Sequence, residues 1–509
     1  FIGMFSIALL DKAGQKLHLL RDRVGVKPLF YYYRDGLFLF GSELKSFHCH
    51  PGFKKEIDTA ALLRFFQFGH VRNPLAIFKD TFKLAPGSHL TLDLSNGKTT
   101  IERYWNAYSY FNAPKFDLSS EEVVSEVHTL LKSAFQYRMI SDVPVGIFLS
   151  GGYDSTCVSA ILQGQSAQPL KTFTIGFDDP RYNEAPYARE VARVLGTDHT
   201  EITCSAGFAK DVLEQLSDIY DEPFGDASAI PTLLVSRSAR EHVKVALSAD
   251  GSDEIFGGYP RYFRSARLLG AYAHIPRWLK QVSAVIANEW PLHTPNPTRH
   301  SRLYKLRELL NAREDFLRYL AIIEPMTFEE ARLFLAPHLA VSAPLYEFPG
   351  IDPAHNDRFA QFQALEFWDG LTDDMLQKVD RASMSTSLEV REPFLDHRIY
   401  EFMARVPTRV KVNGHTLKYV VRQIVHQYVP RQLMERPKMG FGIPVEAMSK
   451  TDFKEIILDT LHSDKVRIQG ILNPVVVESV TKRFYAGEKI DFQRFWFLFM
   501  FQLWANRWM

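Results

Sequence analysis

Small and acidic residues follow an apolar run at residues 145–156. The sequence there reads Val145-Gly-Ile-Phe-Leu-Ser-Gly-Gly-Tyr-Asp-Ser-Thr156, a pattern that predicts a buried strand turning into a helix N-terminus. Two consecutive glycines let backbone N–H groups approach an anion closely, and the helix dipole favours negative charge there. Asp154 adds a carboxylate that can hold Mg²⁺. The segment predicts a phosphate site, but no Lys-Ser or Lys-Thr follows the glycines as in a P-loop.

A second loop concentrates acidic residues. It reads Ser248-Ala-Asp-Gly-Ser-Asp-Glu-Ile-Phe-Gly-Gly-Tyr259, and Asp250, Asp253 and Glu254 lie within five residues. Carboxylates this close repel one another unless a cation or a proton compensates the charge. A solvated acidic turn is the alternative interpretation. Together with a phosphate loop in the same sheet, the acidic loop favours a site for ATP with Mg²⁺.

Strand-like and helix-like segments alternate around these two loops. This alternation predicts parallel βαβ units in a doubly wound sheet. Both loops follow strands, and ligands bind at the carboxyl ends of the strands in such sheets. The strand-like segments are 170–177, 199–204 and 243–248, and the helix-like segments are 184–195, 208–220 and 229–240.

The rest of the chain differs in character on the two sides of this region. Residues 1–105 are mainly β, with hairpin signals at Arg34-Asp-Gly36 and Ser95-Asn-Gly97. A capping box at Ser119-Ser-Glu-Glu122 opens an amphipathic run. We therefore expect one domain at residues 1–112 and another at 119–509. Helical periodicity dominates towards the C-terminus, clearest at 364–376 and 416–428.

The C-terminal segment 492–504 is the most apolar stretch near the end of the chain. It carries Arg494 and Gln502 and is shorter than the about 20 apolar residues that span a bilayer. A buried C-terminal helix is therefore expected, and no membrane partner.

Composition and charge restrict the function classes. The chain is 46% hydrophobic and 23% charged, as in ordinary globular proteins, and 60 basic against 59 acidic residues give a net charge of +1. No overall field favours nucleic acid or an anionic membrane. Cys49, Cys157 and Cys204 lie far apart without metal-binding spacing, which favours buried, inert thiols in a reducing compartment and a cytoplasmic location.

Several motifs resemble those of known families. Residues Ser150 to Ser155 resemble the SGGxDS pyrophosphate loop of the N-type ATP pyrophosphatases, and residues 248–259 resemble the SGEGADE(I/L)FGGY segment of the asparagine synthetases. Three further phrases match the asparagine synthetases in the same order, and the resemblance covers essentially the whole chain. These phrases are Asp380-Arg-Ala-Ser-Met384, Leu388-Glu-Val-Arg-Glu-Pro-Phe-Leu-Asp396 and Arg436-Pro-Lys-Met-Gly-Phe-Gly-Ile-Pro444.

The N-terminal region resembles the second half of the glutaminase domain of class II glutamine amidotransferases. Arg21-Asp-Arg-Val-Gly-Val-Lys-Pro-Leu-Phe-Tyr31 and Gly41-Ser-Glu-Leu-Lys45 carry this likeness. Such domains use an N-terminal cysteine as nucleophile, and the sequence begins with Phe1, so we expect that the first part of the domain is missing. The resemblance implies an α/β fold: a partial N-terminal-nucleophile, β-rich glutaminase domain, then a doubly wound parallel-sheet ATP pyrophosphatase domain with a helical C-terminal half.

The resemblance also implies roles for individual residues. Asp154 and Asp253 would be Mg²⁺ ligands, Asp250 would handle protons during ammonia attack, and Lys438 would stabilise charge on the α-phosphate. Asp250 replaces a usual glutamate, Ala249 a usual glycine and Tyr153 a usual aliphatic residue. The residues expected to bind ATP are Phe148, Ser150, Gly151, Gly152, Asp154, Ser155, Ile175, Ser248 and Ala249.

The implied reaction is ATP-dependent amidation of aspartate to asparagine. An acyl-adenylate would form with release of pyrophosphate, and ammonia, supplied from glutamine in the complete protein, would displace AMP. The expected partners are aspartate, glutamine or ammonia, and ATP, without nucleic acid; the sequence leaves the oligomeric state open, with a homodimer as one candidate. The acceptor could instead be another carboxylate, such as a sugar uronic acid.

Two other classes remain as alternatives. Other pyrophosphatases, such as argininosuccinate or GMP synthetases, lack this C-terminal half. A non-catalytic binding or assembly protein would not require Asp154, Asp253 and Lys438, which are all present here.

Overall fold

The computed structural model describes residues 1–177, 179–204, 206–289, 301–340, 350–351, 357–436 and 442–509. The fold is α/β, as predicted. Its strands are β1 Ser6–Asp11, β2 Lys16–Arg21, β3 Phe30–Arg34, β4 Leu37–Gly41, β5 Thr81–Lys83, β6 Ser88–Asp93, β7 Thr99–Arg103, β8 Val145–Phe148, β9 Lys171–Phe177, β10 Asp198–Cys204, β11 Val245–Leu247 and β12 Glu389–Arg391.

Helices surround these strands and fill the C-terminal half. They are α1 Thr59–Phe68, α2 Ala107–Asn112, α3 Ser120–Met139, α4 Tyr153–Gln163, α5 Ala185–Leu195, α6 Ala206–Ile219, α7 Ala229–His242, α8 Ser252–Phe256, α9 Pro260–Ala273, α10 Arg277–Glu289, α11 Ser301–Asn311, α12 Asp315–Ile323, α13 Phe328–Phe334, α14 Arg358–Trp368, α15 Gln377–Met384, α16 His397–Met403, α17 Thr408–Lys411, α18 Tyr419–Val425, α19 Arg431–Met434, α20 Val445–Lys450, α21 Lys454–Thr460, α22 Ser463–Gln469, α23 Pro474–Tyr485 and α24 Phe492–Trp508.

The larger part of the chain is organised on one parallel sheet. Its strand order is β10-β9-β8-β11-β12, and every neighbouring pair is parallel. From β8 the chain builds outward through β9 and β10, then crosses to the other side of β8 to form β11 and β12. The strand order therefore reverses between β8 and β11, which is where a doubly wound sheet opens a crevice for a ligand.

The N-terminal region folds into two antiparallel sheets. Strands pair in the orders β1-β2-β6-β7 and β4-β3-β5, so the prediction of a mainly β region is confirmed. The hairpin predicted at Arg34-Asp-Gly36 joins β3 to β4. Asp35 and Gly36 both have positive φ, 52° and 79°, which is the turn chemistry that matches the twist of a two-residue hairpin.

Two of the predicted C-terminal helices differ from the structure. The segment 364–376 is divided, because α14 ends at Trp368 and a π-helical turn, Leu371–Leu376, follows Gly370. The segment 416–428 forms a helix only from Tyr419, because Lys418 adopts a left-handed conformation with φ 53°. Both departures lie close to the candidate site described below.

The last helix, α24, forms the centre of the largest apolar core. Its residues Phe495 to Phe501 are all buried, which confirms the predicted buried C-terminal helix. Phe497 packs on Phe65 of α1, with ring centroids 5.8 Å apart, and a Cβ at Gly225 would lie 2.5 Å from the Phe497 ring. The same core thus includes N-terminal and C-terminal residues, and the domain division at residues 112–119 stays a prediction. None of the helices in the described ranges is long and apolar enough to cross a membrane.

Charged side chains join the N-terminal motifs to the synthetase-like motifs. Lys27 lies 2.9 Å from Asp380, and Arg381 lies 3.0 Å from Glu43. Asp22 accepts hydrogen bonds from backbone N–H groups of the turn that positions Lys27. The motifs of the two regions therefore meet in one network.

The expectation that the thiols are buried is wrong for one cysteine. Cys49 is exposed, because it is the last residue of a short 3-10 helix, Leu44–Cys49, at the surface. Cys157 in α4 is buried, and burial raises the pKa of its thiol.

We expect Arg494→Met to destabilise the fold strongly. Arg494 pairs with Glu330 at 2.5 Å and neither side chain is exposed, so the variant leaves a buried carboxylate without its countercharge, at a cost of about 3–5 kcal/mol. Burial raises the pKa of Glu330 even beside Arg494, so the loss should shrink as the pH falls and that carboxylate is protonated. Urea unfolding followed by circular dichroism measures it.

The control is Arg507→Met in the same helix. Arg507 pairs with Asp218 at 2.5 Å, but both side chains are more than half exposed, so its loss should cost less than about 1 kcal/mol. Equal destabilisation by the two variants would show that burial of the Arg494–Glu330 pair does not determine the loss of stability.

Candidate active site

The loop after β8 forms a cradle at the N-terminus of α4. Gly151 has φ 73°, and a Cβ there would lie 2.8 Å from the backbone N of Ala188, so a side chain is excluded. The hydroxyls of Ser150 and Ser155 are 3.0 Å apart, and Ser155 accepts a hydrogen bond from the Ser150 N–H. Among the described residues, a Cβ at Gly152 would meet only the Ser150 hydroxyl within 4 Å. The described part of the chain thus leaves room at the start of this helix, which suits an anion.

The residues expected to contact adenosine line the neighbouring strands. Phe148 ends β8 and is partly buried, whereas Ile175 lies in β9 and is 3% exposed. Ser248 is buried just after β11 and donates its backbone N–H to the Arg391 carbonyl. Ala249 is partly buried against the core between β8 and α4. These positions lie in or just after β8, β9 and β11, the strands on both sides of the crevice.

The acidic loop places its carboxylates through a short helix. Gly251 has φ 87°, and a Cβ there would lie 2.1 Å from Leu395, so only glycine fits the turn that starts α8. Ser252 then donates a hydrogen bond of 2.7 Å to Asp154 Oδ1. This bond connects the two loops across the point where the strand order reverses.

Lys418 lies between the two proposed metal ligands. Its Nζ is 2.6 Å from Asp154 Oδ2 and 2.6 Å from Asp253 Oδ1. Burial lowers the pKa of this lysine, but the two carboxylates raise it by more, so it is held charged. A Cβ at Gly258 would lie 1.8 Å from Asp253 Oδ1 and 2.0 Å from Lys418 Cε. Glycine at position 258 is therefore required for this pair to form.

The three carboxylates of the acidic loop do not share one environment. Asp253 faces Lys418, whereas Glu254 is buried and accepts a hydrogen bond of 2.8 Å from the Tyr259 hydroxyl. Burial, with the nearby charge of Asp253, raises the pKa of Glu254 to about 7. The repulsion between the two carboxylates is thus relieved at Asp253 by the charge of Lys418, and at Glu254 by the raised pKa of its carboxyl group.

Asp250, just before α8, interacts with a second lysine. Burial raises the pKa of Asp250, and the charge of Lys378 opposes that rise. Lys378 is itself buried, with its Nζ 2.9 Å from Asp226 Oδ2 and 2.8 Å from Ser228 Oγ. Asp250 is therefore influenced both by Lys378 and by the negative charges of Asp154 and Asp253, which raise its pKa further.

Lys438 lies outside the described residues, so its predicted role is untested by the geometry. Arg436, two positions earlier in the sequence, donates a hydrogen bond of 3.3 Å to the Ser150 carbonyl and lies 3.4 Å from Glu184. Its guanidinium also stacks over the Tyr187 ring at 4.2 Å. Arg436 is therefore held against the phosphate loop.

Lys418 and Lys378 are site residues that the sequence analysis missed. Each is a single lysine at the edge of an apolar helical segment, a position typical of solvent-exposed lysines. The one available signal was the excess of unpaired carboxylates in the acidic loop, which requires a cation from elsewhere in the chain.

The donor set at Asp154 and Asp253 fits a hard divalent cation. Two carboxylate oxygens already face one positively charged atom, and carboxylate oxygens are the ligands that Mg²⁺ prefers. Within the described residues no group of three or more His, Cys, Asp or Glu side chains could hold a metal ion. Any Mg²⁺ here would need further oxygens from a bound phosphate or from water.

We expect Lys418→Met to make the fold depend on Mg²⁺. The variant leaves Asp154 and Asp253 without their shared cation, which should lower the free energy of unfolding by about 3 kcal/mol. Added Mg²⁺ should recover part of that loss, whereas wild-type stability should change little. Thermal unfolding with and without Mg²⁺ is the measurement.

Lys411→Met is the matched control. Lys411 is equally buried, but its Nζ contacts the neutral Gln363 side chain at 3.0 Å, so Mg²⁺ should not rescue this variant. If Mg²⁺ stabilises both variants alike, Asp154 and Asp253 do not hold the ion.

Two family descriptions match this chain. Residues 126–506 match the family described as Asparagine synthase, and residues 1–105 match the family described as Glutamine amidotransferase domain. The first match covers about three quarters of the chain and includes both loops of the candidate site.

Individual proteins are similar over much of their length. Asparagine synthetase [glutamine-hydrolyzing] 1 of Bacillus subtilis is 28% identical over 504 residues, which is 99% of this chain and 77% of the relative. Asparagine synthetase [glutamine-hydrolyzing] 3 of the same organism is 30% identical over 86% of this chain and 67% of the relative. Amidase chyE of Penicillium rubens is 25% identical over 97% of this chain and 77% of the relative. This chain is therefore an enzyme that belongs to the asparagine synthase family of carbon–nitrogen ligases.

Proposed function

We propose that this enzyme amidates aspartate to asparagine by way of an acyl-adenylate, with ATP as the activating substrate. The observation that carries the proposal is the contact of Asp154 and Asp253 with one cationic atom beside the Ser150 to Ser155 cradle. A phosphate cradle next to a cation site built of two carboxylates fits a triphosphate with Mg²⁺. The family matches support ATP-dependent amidation in general terms.

The nucleotide would bind across the point where the strand order reverses. Its β- and γ-phosphates would lie against Ser150, Gly151, Gly152 and Ser155, and its adenosine near Phe148, Ile175, Ser248 and Ala249. Asp154 and Asp253 would hold Mg²⁺, which when bound supplies neutralising charge to the phosphates. Lys418 would then donate its N–H groups to phosphate oxygens while it remains close to the same carboxylates.

In the activation step, an acceptor carboxylate oxygen attacks the α-phosphorus and the bond to the bridging oxygen of pyrophosphate breaks. The cradle would bind the leaving pyrophosphate, whose negative charge suits the helix N-terminus. Lys438 would stabilise the charge that develops on the α-phosphate.

In the amidation step, ammonia attacks the acyl carbon and AMP leaves. The adduct carries an ammonium-like nitrogen that must lose a proton, and Asp250 would accept it. A carboxylate whose pKa is raised by burial is a better base near neutral pH than an ordinary aspartate. The Asp250 side chain is one methylene shorter than the glutamate usual in the family. The adduct that gives up the proton would therefore have to lie closer to the start of α8.

The proposed acceptor and nitrogen source rest on the names of similar proteins. Aspartate and glutamine are proposed because two of the similar proteins are named glutamine-hydrolysing asparagine synthetases. The relative named amidase chyE keeps another acceptor open, such as a sugar uronic acid. Incubating the enzyme with ATP, Mg²⁺, ammonium and either carboxylate, and identifying the amide by mass spectrometry, decides between them.

We expect Asp154→Asn and Asp253→Asn each to reduce pyrophosphate–ATP exchange by roughly 10²–10³-fold, because each removes charge that the phosphates need. The exchange should depend on the acceptor carboxylate. Asp198→Asn is the control, because Asp198 is an exposed residue at the opposite, amino end of β10. Release of ADP and phosphate in place of AMP and pyrophosphate would contradict the proposal.

Asp250→Asn should separate the two steps. Exchange should persist, because activation needs no base at this position, whereas amide formation from ammonia should fall by about 10²–10⁴-fold. Asp250→Glu should retain much of the amide formation, since it restores a carboxylate. Loss of both steps together in Asp250→Asn would show that the residue does not act in proton transfer.

A further inference from the structure

Helix α10, Arg277–Glu289, presents its large apolar side chains to solvent. Trp278, Val285 and Ile286 are 65%, 60% and 57% exposed, and Val282 is 46% exposed. No residue of α10 is buried. The opposite face carries small or polar side chains, at Lys280, Ser283, Ala284 and Ala287, and these positions are the less exposed ones. Helices of globular proteins normally turn the apolar face inward, so this helix is inverted.

Polar contacts fix the helix in that orientation. Asn288 contacts Asn311 of α11 at 2.8 Å and accepts a hydrogen bond of 2.9 Å from Arg307 Nε. At the other end, Lys280 donates a hydrogen bond of 3.2 Å to the Ala273 carbonyl and lies 4.6 Å from the Tyr272 ring centroid. The polar face is thus attached to the protein, and the apolar face is left without a partner among the described residues.

Basic residues are concentrated in the same region. Residues 260–289 contain one acidic residue, Glu289, although the whole chain has nearly equal numbers of basic and acidic residues. Arg261 is paired with Glu366, but Arg264, Arg267 and Arg277 are exposed and form no ion pair with a carboxylate of the described ranges. The basic residues of this segment are Arg261, Arg264, Arg267, Arg277 and Lys280.

We propose that α10 is a docking surface for an anionic lipid bilayer. An apolar face with a tryptophan at one end, in a segment of the chain that also carries exposed arginines, matches the chemistry of a helix that lies in the plane of a membrane interface. The apolar side chains would enter the boundary between head groups and acyl chains, and the arginines would contact lipid phosphates. The proposal concerns surface attachment and is independent of the amidation reaction.

Charge and shape disfavour the other occupants of this face. A second copy docked through α10 would bring two sets of unpaired arginines together, and like charges repel. Nucleic acid would satisfy the arginines, but it would leave Trp278, Val285 and Ile286 without an apolar partner. A bilayer with anionic head groups satisfies both features at once.

The test is cosedimentation of the full chain with vesicles of phosphatidylcholine alone or mixed with phosphatidylglycerol. The wild type should bind the mixed vesicles, and added salt should weaken binding. The triple variant Arg264→Gln, Arg267→Gln, Arg277→Gln should bind about 100-fold more weakly, about fivefold for each arginine. Ile286→Asp should abolish binding by placing a charge in the apolar layer.

Ile468→Asp is the matched control for the apolar face. Ile468 is 85% exposed in α22, so its replacement also adds a surface charge without disturbing the core, and vesicle binding should be unchanged. Trp278 gives a second readout, because its emission should shift to shorter wavelength with the mixed vesicles. Trp278→Phe should lose that shift.

Three results would overturn the proposal. The first is absence of binding to the mixed vesicles, or equal binding to phosphatidylcholine alone. The second is a dimer in light scattering that Ile286→Asp dissociates, which would assign the face to a second copy. The third is binding to RNA or DNA that the arginine variant loses while vesicle binding is absent.

Discussion

The candidate site depends on one electrostatic contact, in which the ammonium of Lys418 lies 2.6 Å from carboxylates of two different strand-end loops. The shared cation offsets the mutual repulsion of the Asp154 and Asp253 carboxylates in a partly buried crevice. Two backbone features accompany this contact: Lys418 has a left-handed conformation, and the absence of a side chain at Gly258 leaves room for the pair. A lysine in this position holds the two loops together before any nucleotide binds. The phosphate cradle and the acidic loop therefore already have their relative positions.

The same principle operates where the N-terminal and C-terminal regions meet. Lys83 lies 2.9 Å from Glu222, both nearly fully buried, and Lys27 pairs with Asp380. Desolvation makes such pairs poor sources of stability, but it penalises any arrangement that separates them. The motif residues of the glutaminase-like region therefore contribute to alignment. They set how that region lies on the sheet that carries the candidate active site.

Local patterns made much of this architecture predictable. The strand-to-helix change at residues 145–156 and the hairpin at Arg34-Asp-Gly36 depend on neighbours in sequence, so periodicity and turn chemistry were enough. Lys418 and Lys378 could not be found this way, because the carboxylates that they contact, at Asp154, Asp253 and Asp226, lie about 150 or more residues away in the sequence and a single lysine has no pattern. The burial of a single cysteine is equally hard to predict from the sequence, as the exposed Cys49 shows. A net charge of +1 over the whole chain also conceals the basic segment 260–289, which includes the inverted helix α10.

The placement of α24 has a consequence for biosynthesis. Its phenylalanines complete the core that surrounds α1, yet about 430 residues separate the two helices in the chain. The part of α1 that packs on α24 therefore lacks this partner until several hundred further residues have been synthesised. Strand β12 likewise joins β11 only after some 140 further residues. Such long-range pairings slow folding and prolong the exposure of aggregation-prone surface. We therefore expect the nascent chain to bind chaperones that shield apolar segments during translation.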